Sequence, residues 1–227
     1  MVTDRYYDNR LSADRLKKVY QIAPVRVQQY LEAEIDHVLR HVHNSAIVLE
    51  LGCGYGRVMR ELAPVAKTVV GVDTSWPSLK LAKQELLHLP NQKLCLMNAA
   101  MLGFRANVFD ITICIQNGIS AFKVNQTELI REAVRVTRPG GIILFSSYSD
   151  KFWNDRLEWF RLQSEAGLLG EIDNERTGDG TIICKDGFKA TTLRPEDFMN
   201  LTSRLGLKAD IIEVGNSSLF CEINLQR

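Results

Sequence analysis

The sequence predicts an α/β fold. It would be a mostly parallel seven-stranded sheet with helices on both faces, ending in a C-terminal antiparallel hairpin. Three observations carry this. Short apolar runs alternate with helix-length amphipathic stretches from Ala46 to Ser147. The run Glu50-Leu51-Gly52-Cys53-Gly54-Tyr55-Gly56 sets a glycine at every second position between a strand and a helix start. Asp73 then ends the next strand, 21 residues after Gly52, where nucleotide-binding folds place an acid against ribose hydroxyls.

Along the chain, 1–43 reads as a helical arm. It opens with one or two short helices carrying Tyr6, Tyr7, Leu11, Leu16 and Tyr20. Pro24 starts a stronger helix through about His41, with Val27, Tyr30, Leu31, Ile35, Val38 and Leu39 at helical spacing. Residues 44–149 form the core. Its strands are Ala46 to Leu51, Thr68 to Asp73, Lys93 to Asn98, Phe109 to Ile115 and Ile142 to Ser147. Its helices are Arg57 to Ala63, Ser78 to Leu87 and Gln126 to Val136, and Arg138-Pro139-Gly140-Gly141 is a turn signal. The rhythm breaks at 150–192, which reads as an amphipathic helix followed by a hairpin turning at Lys185-Asp186-Gly187. Residues 193–227 supply a helix, Pro195 to Leu205, and a strand pair, Lys208 to Val214 and Ser218 to Leu225, completing the sheet.

Composition narrows the classes. The 227 residues are 45% hydrophobic with a formal net charge of +1. Near-neutral charge without a Lys/Arg-rich run argues against a nucleic-acid partner. The polar N-terminus is no signal peptide, and no apolar stretch approaches the roughly 18 residues of a membrane span. Cys53, Cys95, Cys114, Cys184 and Cys221 are odd in number and lack C-x-x-C spacing, which suits reduced thiols in a cytoplasmic protein. His37, His41 and His43 gather near a helix end, a favourable place for histidine. No carboxylate motif accompanies them, and no metal is expected.

Glycine spacing selects the nucleotide. Dinucleotide folds use G-x-G-x-x-G/A, with a small third residue for close helix–strand packing. Here that place is Arg57. The pattern E-x-G-x-G-x-G with a downstream Asp instead resembles the class I S-adenosylmethionine-dependent methyltransferases. The resemblance covers roughly Ser45 to Ser149 strongly and Leu193 onward more weakly. It implies S-adenosylmethionine as cofactor, held by Glu50, Gly52, Cys53, Gly54 and Gly56 after strand one. Asp73 would take the ribose, with Thr74 and Trp76 beside it, Trp76 packing on adenine or in the core. Asn98-Ala99 stand at the adenine-reading position, where the family commonly has an acid. Gln116 and Asn117, in a turn without the Pro-Pro-Tyr of nucleobase-amine enzymes, would line the methionine end.

The expected function is in-line methyl transfer to a small-molecule acceptor. The arm and 150–192 would wall its pocket. Tyr7, Tyr20, Tyr148 and Asp150 are the candidates for a general base. Two alternatives stay open: a non-catalytic S-adenosylmethionine-binding regulatory domain, and an NAD-dependent oxidoreductase. The acceptor, the methylated atom and the oligomeric state are not readable from the sequence.

Overall fold

The computed structural model describes residues 11–226. Tyr6 and Tyr7 lie outside them. The arm contributes α1 (Ala13–Gln21) and α2 (Val25–Leu39). The core follows as β1 (Ile47–Leu51), α3 (Arg57–Leu62), β2 (Thr68–Asp73), α4 (Trp76–Glu85) and β3 (Gln92–Leu96). Next come β4 (Phe109–Cys114), α5 (Gly118–Ala121), α6 (Gln126–Val136) and β5 (Thr137–Tyr148). A 3-10 turn at Asp150–Phe152 leads into α7 (Trp153–Glu165) and a small ladder of β6 (Ile182–Ile183) and β7 (Lys189–Ala190). The chain closes with α8 (Pro195–Ser203), β8 (Asp210–Val214) and β9 (Ser218–Asn224).

Seven strands form one sheet in the order β3-β2-β1-β4-β5-β9-β8. Strands β1 to β5 pair in parallel, and β9 runs antiparallel to both its neighbours. The order reverses between β1 and β4, which opens a crevice at the C-terminal ends of those strands.

Side-chain alternation explains the layers. On one face Val48, Ile111, Ile113, Leu144 and Phe220 meet Ile35 and Val38 of α2 and Met59 and Leu62 of α3. On the other, Leu49, Ile143, Phe145 and Cys221 meet Leu129, Ile130 and Ala133 of α6 and Phe198 of α8. A third cluster joins the arm to the segment after β5: Val19, Val27 and Tyr30 pack with Phe152, Trp159, Phe160 and Phe188. Tyr148, at the end of β5, belongs to that cluster and ties it to the sheet.

Two expectations need correction. The Arg138–Gly141 segment does not end an element. Gly140 N–H donates to Leu225 O and Leu225 N–H to Gly141 O, so β5 runs through it, with a register shift opposite Phe109 and Ile111. Helix α4 starts at Trp76 rather than Ser78, because Ser75 caps it by accepting from Ser78 N–H and Pro77 fits the first turn. No helix among the described residues is long and apolar enough to cross a membrane.

Candidate functional site: a cavity at the strand ends

A cavity of about 460 Å³ opens at the C-terminal ends of β1, β2 and β4. The glycine loop forms its floor. Gly52 and Cys53 N–H both donate to Val72 O, at 2.8 and 3.0 Å, which locks the loop to β2. Gly52 has φ +77°, and a Cβ there would stand 2.4 Å from the ring of Phe122. Only glycine fits that contact.

Asp73 organises the same loop. Its Oδ2 accepts from Gly54 N–H and its Oδ1 from Ser75 N–H, both at 2.8 Å. Asn98 Oδ1 accepts from Ala100 N–H at 2.9 Å, which turns the chain after β3 and holds Asn98 and Ala99 at the wall.

The next wall is strained. Gln116 and Asn117 have φ +56° and +60°, a left-handed pair without glycine. Gln116 N–H is shared between Glu34 Oε2 and Ser146 Oγ, each at 2.8 Å. Its Oε1 accepts from Tyr20 O–H at 3.1 Å, and its Nε2 is buried without a hydrogen-bond partner. The Gln116 side chain thus lines the cavity with its amide held in place and one donor buried and unsatisfied. Glu34 is fully buried, with Ser218 Oγ donating to it at 2.6 Å. Burial pushes its carboxyl up to about 7, against the hydrogen bonds from Ser218, Ser146 and Gln116.

Gly52, Gly54, Asp73, Thr74, Asn98, Ala99, Gln116, Tyr20 and Tyr148 line the cavity. The other expected residues stand elsewhere. Cys53 is buried against Gly71 of β2, and its thiol is pushed well up by burial. Gly56, at φ +85°, caps α3. Asn117 is occupied by fold contacts: its Nδ2 donates to Thr191 O and its Oδ1 accepts from Ser147 Oγ, both at 2.9 Å. Trp76 is 64% exposed at the start of α4, which excludes the core role. Asp150 is exposed and pairs with Arg194 at 3.3 Å, which removes it from the base candidates. Tyr7 is not among the described residues.

Glu50 sits beneath the loop rather than on the wall. Burial first, then the charge of Asp73, pushes its carboxyl up to about 8, while Arg57 pulls it down. Glu50 Oε2 and Arg57 Nη2 are both buried without hydrogen-bond partners. The Arg57 guanidinium lies over the Tyr20 ring, 4.6 Å from its centroid. One buried polar atom on each of these two side chains is thus left unsatisfied beside the glycine turn, a costly arrangement that a zwitterionic ligand would relieve.

Several lining residues were missed. Phe122 follows α5, a single turn too short for a periodic signal. Gln163, Phe188 and Ser78 carry no local signal of facing a cavity. Glu34 was detectable: an acid on the apolar stripe of α2, between Tyr30, Leu31 and Val38, signals a buried partner.

Comparisons with known proteins agree with this geometry. Residues 48–141 match the family model described as a methyltransferase domain. The ubiquinone biosynthesis O-methyltransferase of Coxiella burnetii is 28% identical over 144 residues, 62% of this chain and 56% of that protein. The malonyl-[acyl-carrier protein] O-methyltransferase of Yersinia pestis is 27% identical over 135 residues, 53% of this chain and 44% of that one. The chain thus spans about half the length of the curated relatives it matches. Among solved structures, the N-methyltransferase NodS from Bradyrhizobium japonicum, in complex with S-adenosyl-L-homocysteine, superposes with a TM-score of 0.60. It is 14% identical and the match covers 93% of this chain and 96% of NodS, a likeness of fold.

S-adenosylmethionine fits the residues present. Its ammonium and carboxylate match the unsatisfied Glu50 Oε2 and Arg57 Nη2, and its ribose diol suits Asp73. In strand order, glycine loop and the match over residues 48–141, the chain carries a methyltransferase domain of class I architecture, with residues that suit S-adenosylmethionine as cofactor.

Proposed function

We propose that the protein methylates a small, largely apolar molecule at an oxygen that is already ionised near neutral pH. One observation carries this reading: the cavity runs from the glycine loop into an aromatic chamber whose described wall offers no base. Tyr20, Tyr148, Trp159, Phe160 and Phe188 form that chamber. Among the described residues lining the cavity, Asp73 is the only charged side chain, and it belongs to the loop end. Burial pushes Tyr148 up to about 12 and raises Tyr20, so both phenols stay protonated at neutral pH. Such a wall suits a carboxylate, an acidic phenol or an enol better than an aliphatic alcohol or a protonated amine. The curated relatives are named as O-methyltransferases, which supports oxygen.

When bound, S-adenosylmethionine supplies a methyl group activated on a sulfonium. Glu50 and Arg57 would hold its ammonium and carboxylate, and Asp73 its ribose. Asn98 would face adenine. Gln116 Nε2, fixed by Glu34, Ser146 and Tyr20, would orient the acceptor or the methionine end. The aromatic walls would exclude water and set the line of approach, an orientation effect worth roughly 7–11 kcal/mol.

The test is a release assay for S-adenosylhomocysteine across matched aromatic acceptors: carboxylates, phenols of graded acidity, benzylic alcohols and benzylic amines. Acidic phenols or carboxylates should turn over at least about tenfold faster than the alcohols. Preference for amines would overturn the reading.

A further inference from the structure

The helix–sheet seam behind the cavity holds a second constellation. His37 Nε2 lies 2.6 Å from Glu222 Oε1, and His41 Nε2 lies 3.6 Å from the same oxygen. The three donor atoms fall within 4.8 Å of one another. The histidines sit one helical turn apart, His37 in α2 and His41 just past its end, so both project from the same side. Glu222 comes from β9 and is buried, as is His37. His41 is partly open to solvent, its side chain 27% exposed.

We propose that His37, His41 and Glu222 form a binding site for a divalent transition metal, best suited to zinc, that clips the C-terminal end of α2 to β9. Two imidazole nitrogens and one carboxylate oxygen make a donor set for zinc rather than for magnesium or calcium, which take oxygen. Bonds of about 2.0–2.1 Å in tetrahedral geometry separate ligand atoms by about 3.3 Å. The His41–Glu222 separation is already close to that, and the His37 ring need withdraw by less than about 1 Å. Asp210 lies directly opposite Glu222 in the antiparallel register, hence on the same face of the sheet. Its carboxylate is not within the cluster, so the fourth position falls to water entering at the exposed edge of His41. Arg40 also stands nearby, but it is exposed and largely screened.

The site is independent of the methyl-transfer cavity. Glu222 pairs with Leu144, whereas Ser218 pairs with Tyr148 at the cavity end, four residues and roughly 13 Å further along the strand. One turn of α2 nearer the cavity, Glu34 holds Ser218 and Gln116. A metal at the cluster would therefore brace the helix whose other contacts position Gln116.

The experiment takes the full chain, stripped with a chelator, and titrates zinc chloride by calorimetry and by thermal unfolding. One equivalent should bind, and zinc at about a hundred times its Kd should raise Tm by about 5 °C. His41→Gln, at the most exposed ligand, and Glu222→Gln should each weaken binding at least tenfold. His41→Gln should leave the affinity for S-adenosylhomocysteine unchanged. Cobalt(II) should give d–d bands without a thiolate charge-transfer band, which separates the cluster from the five cysteines. An unchanged zinc response in folded His41→Gln, a thiolate band, or no binding below about 100 μM would each overturn the proposal.

Discussion

The two ends of the cavity are built by different means. At the loop end, backbone groups do most of the positioning: Val72 O, the N–H of Gly54 and the N–H of Ser75 fix the glycine turn and Asp73 within a few residues of sequence. At the far end the walls are aromatic side chains from α1, α7 and the β6–β7 hairpin, brought together over more than a hundred residues. Trp159 Nε1–H donates to Val19 O at 3.0 Å, which fastens α7 to the arm across 140 positions. Cofactor binding should thus depend on a local, rigid motif, and acceptor choice on how the cap packs.

Mutations should separate the two ends. Asp73→Ala gives the largest expected effect. It removes the ribose partner and leaves two backbone N–H groups unpaired, so affinity for S-adenosylhomocysteine should fall about a hundredfold, roughly 2.7 kcal/mol, by calorimetry. A loss below threefold would break the assignment.

Glu50→Gln comes next, with a pH signature. Glu50 is held up at about 8 against an ordinary 4.5, so the folded chain keeps a proton that the unfolded chain has released. Its contribution to stability is present at acid pH and fades as pH rises from about 4.5 through 8. A ligand ammonium favours the ionised carboxylate. Affinity should therefore climb between about pH 6 and 8, by up to about tenfold per unit, with proton release on binding. Glu50→Gln should cost about tenfold and flatten most of that climb, leaving the smaller part that Glu34, titrating near 7, contributes. An equally steep climb in the variant would exclude Glu50 from the ligand's charge.

At the other end, Phe188→Leu should leave cofactor affinity within about twofold. It should raise the acceptor KM about five- to tenfold, because a packed aromatic wall is lost while the loop is untouched. A parallel loss of cofactor affinity would mean the ends are not separable. Asp150→Ala should be the mildest. It removes an exposed pairing with Arg194, and turnover should stay within about twofold.

The difference between the ends also sets what the sequence revealed. β1, the glycine turn, α3 and Asp73 were legible because each rests on local rules, namely a buried strand, left-handed glycine positions and a strand-end acid. Helix α6 was read to its end residues from its apolar stripe, and the structure adds an Asn125 cap. The core alternative for Trp76 failed because nearness to Asp73 in sequence says nothing about which way a capped helix turns its first residue. Phe122 and Phe188 escaped because facing a cavity is a tertiary property. Glu222 was invisible as a partner of His37, since the two are 185 positions apart and meet only when β9 inserts beside β5. Glu34 alone among the missed groups had left a mark, a charge on an apolar stripe.

The central claim is that the glycine loop, Asp73 and the Glu50–Arg57 pair hold S-adenosylmethionine. Calorimetric titration of the full chain with S-adenosylhomocysteine, beside NADH, tests it most directly. One-to-one binding of the former at micromolar Kd or tighter, with no NADH binding, is the predicted result. Binding of NADH, or of neither ligand, would contradict it.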